Sequence, residues 1–348
     1  MGQRNIRLGI DFGGTKTEII GLDAANGKEL YRKRIMTARD DYAKTMEGFR
    51  TLVLEAENEL GTQGTVGLGI PGTVSRDTGL VKNANSTWMN GKPMQKDLEE
   101  MLGREVRIQN DANCFAVSEA TDGAAVGAEV VFGVIIGTGC GGGVVVNGKP
   151  IGGINGIGGE WGHNTLAYPR AYVPEGIPPH SFGGEVQRTD KGVNWFTDDK
   201  SWSEYPGPDC YCGKAGCNEL WISGTGFKND YHRVTGEDMS THDVIANAMK
   251  GEPKAVAALA RYTDRLARAL SVVINILDPD VIVLGGGMSN VDTLYTDVPK
   301  IWGKYVFSDS VHTKLKAPRH GDSSGVRGAA WLWSPEETVE QSLIRKTA

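Results

Sequence analysis

Asp11-Phe12-Gly13-Gly14-Thr15-Lys16 stands between two β-prone runs, Ile6 to Ile10 and Thr17 to Leu22. A strand that enters a pair of glycines and leaves as a second strand reads as a hairpin. The pattern returns more than a hundred residues later, where Gly137-Thr138-Gly139-Cys140-Gly141-Gly142-Gly143 joins Val130–Ile136 to Val144–Val146. Two like hairpins so far apart indicate a duplicated unit, each copy opening one lobe. Outward from them, Tyr42 to Leu60 carries Met46, Phe49, Val53, Leu54 and Ala56 at helical spacing, and Thr65 to Ile70 is a strand stopped by Pro71-Gly72. Ala255 to Leu277 is a long helix with Leu259, Tyr262, Leu266, Leu270 and Ile274 on one face, ended by Asp278-Pro279. Val281 to Leu284 is a strand running into Gly285-Gly286-Gly287, and Gly325 to Trp333 reads as a closing helix that returns to the first lobe. The class is α/β.

A length of 348 residues suits two domains, each with its own core. The hairpins place a small lobe at 1–119 plus a C-terminal helix at 322–336, and a large lobe at 120–321. Within the large lobe, 168–208 is an irregular excursion holding Pro169, Pro174, Pro178, Pro179, Pro206 and Pro208, whose aromatic residues favour an ordered flap over a free linker. Lys and Arg number 37 against 43 Asp and Glu, a net charge of −6, so neither nucleic acid nor an anionic membrane is an expected partner. Five cysteines are too few for a disulfide scaffold, and no apolar leader opens the chain, so a cytoplasmic protein is expected. The 48 glycines, about twice ordinary usage, are the anomaly to explain.

Gly137-Thr138-Gly139-Cys140-Gly141-Gly142 satisfies the dinucleotide pattern, but that fingerprint opens a helix and here Val144-Val145-Val146 continues as strand. What remains is two glycine hairpins whose closely spaced amides can wrap phosphate oxygens, with Asp11 and Thr15 placed to hold a hydrated magnesium ion and a phosphate. Cys210-Tyr211-Cys212-Gly213-Lys214-Ala215-Gly216-Cys217 supplies three thiols, and His163 is the nearest fourth ligand for a closed structural zinc site. Cys114 and Cys140 are expected simply to pack. Asp111, in Asn110-Asp111-Ala112-Asn113, has two readings: a helix N-cap, or a general base flanked by amides that hold polyol hydroxyls. Glu160 and Glu219 adjoin the metal ligands, which would fix two carboxylates for vicinal hydroxyls; the plainer reading is solvated charge.

These residues resemble the ROK family (repressors, open reading frames and sugar kinases), within the actin-like ATPase superfamily. The resemblance runs from about residue 6 to 333 and rests on Asp11 to Thr17, Gly67-Leu68-Gly69-Ile70-Pro71-Gly72, Asn110 to Asn113, Gly137 to Gly139, Glu160-Trp161-Gly162-His163, the cysteine run ending in Glu219, and Gly285 to Gly287. Asn83 to Gly91 looks most like the bacterial fructokinase or mannokinase branch. The resemblance implies the actin-like, ribonuclease H-like duplicated fold, with two lobes hinged about a cleft that holds MgATP and a hexose. It places Asp11, Gly13, Gly14, Thr15, Lys16 and Thr17, with Gly137, Thr138 and Gly139, at the nucleotide, and Gly285, Gly286 and Gly287 against the adenosine. It makes Asp111 the base, brings Asn85, Asn110, Glu160, His163 and Glu219 to the sugar, and gives His163, Cys210, Cys212 and Cys217 to zinc. Phosphorylation of fructose, with mannose, is the leading expectation; N-acetylglucosamine and glucose are alternatives, and a homodimer is expected. Only ten residues precede Asp11, so no DNA-binding helix-turn-helix is expected there, and the retained Asp111 argues for turnover over a non-catalytic sugar sensor or transcriptional regulator.

Overall fold

The structure, a computed structural model, describes residues 5–170, 203–205, 207–334 and 336–338. Most of the excursion at 168–208 lies outside the described residues. The chain runs β1 (Ile6–Phe12), β2 (Lys16–Asp23), β3 (Glu29–Met36), α1 (Tyr42–Leu60), β4 (Thr65–Ile70), a small hairpin of β5 (Thr73–Val74) and β6 (Val81–Lys82), α2 (Met94–Leu102), β7 (Val106–Asn110) and α3 (Asp111–Thr121). It continues through β8 (Val130–Ile136), β9 (Cys140–Val146), β10 (Lys149–Pro150), α4 (Glu219–Ile222), α5 (Gly224–Thr235), α6 (Thr241–Met249), α7 (Pro253–Leu277), β11 (Val281–Gly285), α8 (Leu294–Trp302), β12 (Lys314–Lys316) and α9 (Ser324–Ala330).

The first sheet has the order β3-β2-β1-β4-β7 and the second β10-β9-β8-β11-β12. The orders correspond strand for strand, so the duplication read from the glycine hairpins is a duplication of topology. Two compact units form, one of residues 1–133, 142–159 and 318–348, the other of 134–141 and 160–317. The division falls within β8 and β9. No helix among the described residues is long and apolar enough to cross a membrane.

In the first unit, β1 pairs antiparallel with β2 and parallel with β4, which pairs parallel with β7. One face of this sheet meets α1, whose Met46, Phe49, Leu52, Val53 and Ala56 join Ile6, Leu8, Ile10 and Phe12 in the core. Caps fix α1: Asp41 accepts the Lys44 amide, and Gly61 ends the helix at φ 68°. The other face explains part of the glycine excess. A Cβ on Gly9 would stand 2.2 Å from Val326 O, one on Gly67 1.9 Å from Ala329 O, and one on Gly328 1.6 Å from Cys114 O. Helix α9 therefore lies backbone to backbone against β1, β4 and α3, a packing that side chains would forbid.

In the second unit α7 begins with Glu252 capping and Pro253 in its first turn, and ends at Asp278 in the left-handed region, before Pro279. Its apolar face is as read from spacing, but Arg261, Asp264, Arg265 and Arg268 are buried as well. They are matched by Glu204, Asp230 and Arg170 in a continuous ion-pair cluster.

Candidate active site

β1 and β2 deliver the first turn. Their register ends with Phe12 opposite Thr17, so the residues between them are left to reverse the chain. The Gly13 amide donates to Lys16 O at 3.0 Å, and Thr37 Oγ1 donates to Gly13 O at 2.7 Å. Thr17, expected at the nucleotide, is buried, and its hydroxyl lies 2.9 Å from that of Thr37. It braces the turn from behind rather than lining it. Gly14, Thr15 and Lys16 are exposed, and among the described residues the Gly14 and Thr15 amides have no protein acceptor. Open, adjacent N–H groups of this kind suit phosphate oxygens. Asn85 is exposed, and its neighbour Ser86 places Oγ 3.8 Å from the Cβ position of Gly14, which sets that loop beside the turn.

Asp11, near the end of β1, faces Glu18 on β2 and Gly69 on β4. Burial, followed by the negative charges of Asp111 and Glu18, pushes its carboxyl up to about 7, while Arg34 opposes the rise. Asp111 arrives on the step from β7 into α3. Asn110 is the cap there: its Oδ1 accepts the Ala112 amide at 2.9 Å and its Nδ2 donates to Gly72 O at 3.2 Å. Of the two readings of Asp111, capping thus belongs to its neighbour, and Asp111 is the first helical residue, its Oδ1 accepting the Ala112 amide at 2.8 Å.

The second turn, between β8 and β9, closes with the Gly137 amide donating to Gly139 O at 3.0 Å, and leaves the Thr138 and Gly139 amides without a protein acceptor among the described residues. Gly137 O accepts the Gly224 amide at 2.7 Å from the start of α5. Sequence reasoning passed over Gly224. Its signal is Ser223-Gly224-Thr225-Gly226, a capped, glycine-rich helix start just after the cysteine run, with Ser223 accepting from the Gly226 amide. Gly286 has φ +77°, and a Cβ on it would lie 2.7 Å from the Ile136 carbonyl, so the turn after β11 rests on the β8–β9 hairpin. Gly285 is buried at the strand end, while Gly287 has open space around it.

The ligand atoms of His163, Cys210, Cys212 and Cys217 lie within 4.8 Å of one another. Cys212 and Cys217 place their sulfurs 3.6 Å apart, and His163 Nδ1 is 3.7 Å from Cys210 Sγ. Both spacings approach the tetrahedral edge of about 3.8 Å implied by metal–sulfur bonds of about 2.3 Å, so three thiols and an imidazole in this arrangement fit zinc. His163 Nε2 lies 3.0 Å from the hydroxyl of the exposed Tyr211, while Nδ1 faces Cys210. Glu160 is exposed and Glu219 half-buried at the start of α4, the latter with Oε2 accepting the Cys140 amide. Cys114 and Cys140 are buried, burial pushes both thiols up, and they pack.

A family model described as ROK family matches residues 7–336. The chain belongs to the ROK family, as a sugar kinase. It is 39% identical over 329 residues to an N-acetyl-D-glucosamine kinase of Yersinia pseudotuberculosis, covering 94% of this chain and 99% of that one. An N-acetyl-D-glucosamine kinase of Vibrio cholerae is 39% identical over 327 residues, covering 93% and 98%. Among solved structures, the ROK hexokinase of Thermus thermophilus superposes with a TM-score of 0.76 at 26% identity, covering 99% of this chain and all of that one. The paired sheets are accordingly those of the actin-like ATPase fold.

Proposed function

We propose that this ROK sugar kinase is an ATP-dependent N-acetylglucosamine kinase, moving the γ-phosphoryl group of MgATP to the 6-hydroxyl of the sugar. The observation that carries the substrate is the 39% identity, nearly end to end, to relatives bearing that name. The likeness of Asn83 to Gly91 to fructokinases covers nine residues, and fructose yields to the longer match. Gly14, Thr15, Thr138 and Gly139 offer amides to the phosphates, Gly287 leaves room for the adenosine, and Asp11 with Thr15 would hold the hydrated magnesium ion, which screens phosphate charge when bound. Asp111 accepts the hydroxyl proton while the sugar oxygen forms its bond to phosphorus and the bond to the ADP oxygen breaks. Positioning and charge stabilisation supply most of the acceleration. Asn85, Asn110, Glu160 and Glu219 hold the sugar, and zinc on His163, Cys210, Cys212 and Cys217 would order the loop that leads into Glu219.

A coupled ATP-consumption assay across N-acetylglucosamine, glucose, mannose and fructose tests the reading. The highest kcat/KM is expected on N-acetylglucosamine, by tenfold or more. Preference for fructose would return the chain to the branch its Asn83–Gly91 stretch resembles.

A further inference from the structure

Glu219 is expected at the sugar, yet one of its oxygens is already engaged elsewhere. Oε2 accepts the Cys140 amide at 3.0 Å, and a Cβ on Gly139 would stand 2.7 Å from the same oxygen. Glycine at 139 leaves the carboxylate its place. Cys140 follows directly on the turn Gly137-Thr138-Gly139, so Glu219 grips the base of the second phosphate hairpin. Two further contacts come from the segment that carries His163. Trp161 Nε1 donates to Gly141 O at 3.1 Å, and the Gly162 backbone lies so close to Cys140 O that a Cβ there would be 2.2 Å away.

The grip leads straight back to the cysteine cluster. Cys217 Sγ lies 3.6 Å from His163 O. Asn218 donates its amide to Asn164 O at 2.8 Å and its Nδ2 to Trp161 O at 3.0 Å. Three successive residues, Cys217, Asn218 and Glu219, thus join the ligand cluster, the 160–164 turn and the phosphate hairpin. A carboxylate this near a phosphate site would repel its ligand unless its charge were engaged. Here it takes one strand amide in a charge-assisted bond, leaving the Thr138 and Gly139 amides for the nucleotide.

We propose that Glu219 is a positioning residue for the nucleotide: through the Cys140 amide it splints the Gly137–Gly139 turn in its phosphate-binding shape, so the cysteine cluster governs ATP affinity as well as sugar affinity. The inference rests on the reading of that turn as a phosphate site.

Calorimetric binding of magnesium and AMP-PNP to the full chain, with no sugar present, tests it. A lost hydrogen bond to a charged group predicts roughly 10- to 100-fold weaker binding for Glu219→Ala. Glu219→Gln, whose amide oxygen still accepts the Cys140 amide, is expected within about threefold of wild type, a rescue that a plain sugar ligand would not produce. Should Glu219→Ala fail to fold, Glu219→Asp, one methylene short of Cys140, is expected to show the same loss. Wild-type affinity in the Ala or Asp variant would overturn the inference alone. A wild-type chain that binds no AMP-PNP would overturn the nucleotide reading itself, and this inference with it.

Discussion

Asn110, not Asp111, is the N-cap of α3. Either side chain of an Asn-Asp pair before a helix can cap it, which is why spacing could not choose between a cap and a base; the choice is made by Gly72, whose carbonyl accepts Asn110 Nδ2 and turns that amide's oxygen toward Ala112. The carboxylate left at the first helical position is the one we assign to the sugar hydroxyl. A general base contributes ~10² to 10⁴ in rate, so Asp111→Asn is expected to lower kcat by about that factor while AMP-PNP and sugar still bind. Turnover close to wild type would remove Asp111 from the role. The same scale shows what local reading cannot supply. Thr17 closes the Asp11–Thr17 motif, but its hydroxyl is turned to Thr37, a partner 20 residues away just past the end of β3.

Helix α7 shows how an element can be legible and incomplete at once. Its apolar spacing marked the helix and its packing face, while the burial of Arg261, Asp264, Arg265 and Arg268 left no mark in the spacing, because Glu204 and Asp230, which pair with the arginines, lie far off in sequence. Glu204 Oε1 accepts Arg265 Nε at 2.7 Å and Arg268 at 2.8 Å, and its Oε2 accepts the Arg170 amide at 2.8 Å. The carboxylate thereby holds Arg170 beside its own backbone on the helix. Burial alone would raise its pKa; Arg268 and Arg265 outweigh burial and bring it down to about 2 from 4.5. The unfolded chain therefore holds this proton more tightly, and the stability contributed by Glu204 is complete above about 4.5 and declines as the pH falls toward 2. Glu204→Gln takes one of two carboxylates from each of Arg265 and Arg268, which keep Asp230 and Asp264, a cost of up to about 3–5 kcal/mol. The expected result is a lower Tm at neutral pH together with a shallower fall of Tm below about pH 4.5, read by calorimetry. A variant whose Tm runs parallel to wild type down the acid limb would show that Glu204 titrates unshifted. The hairpins and the cysteine cluster, by contrast, were legible because turn and ligand chemistry are written in consecutive residues. The Glu219–Cys140 bond spans 79 residues and left no local trace.

At the scale of the whole chain, the first unit is completed by its most distant segment. Val326, Ala329, Ala330 and Trp333 are buried, the glycines at 9 and 67 admit α9 against the sheet, and Trp333 Nε1 donates to Val66 O at 2.8 Å. Arg7, fully buried on β1, lies 4.3 Å over the Trp331 ring and donates from Nε to Thr338 at 3.2 Å. Buried Glu119 accepts the Arg319 amide and the Ser324 hydroxyl, fastening the entry of this segment to α3. Sequence spacing suggested a returning helix, but the reason for Gly9 and Gly67 lies more than 250 residues downstream. Losing one buried tryptophan side chain costs about 3–5 kcal/mol, and the rest of α9 adds several more, against a typical total stability of 5–15 kcal/mol. A chain ending at Ala317 is therefore expected not to close its first unit. Limited trypsin digestion of that chain should cut within residues 5–133 at sites the full chain protects, and magnesium with AMP-PNP should restore no protection, because the Gly13–Thr15 turn depends on β1 being held in place. Digestion indistinguishable from that of the full chain would mean that β1, β4 and α3 pack without α9, and that the glycines facing it have some other cause.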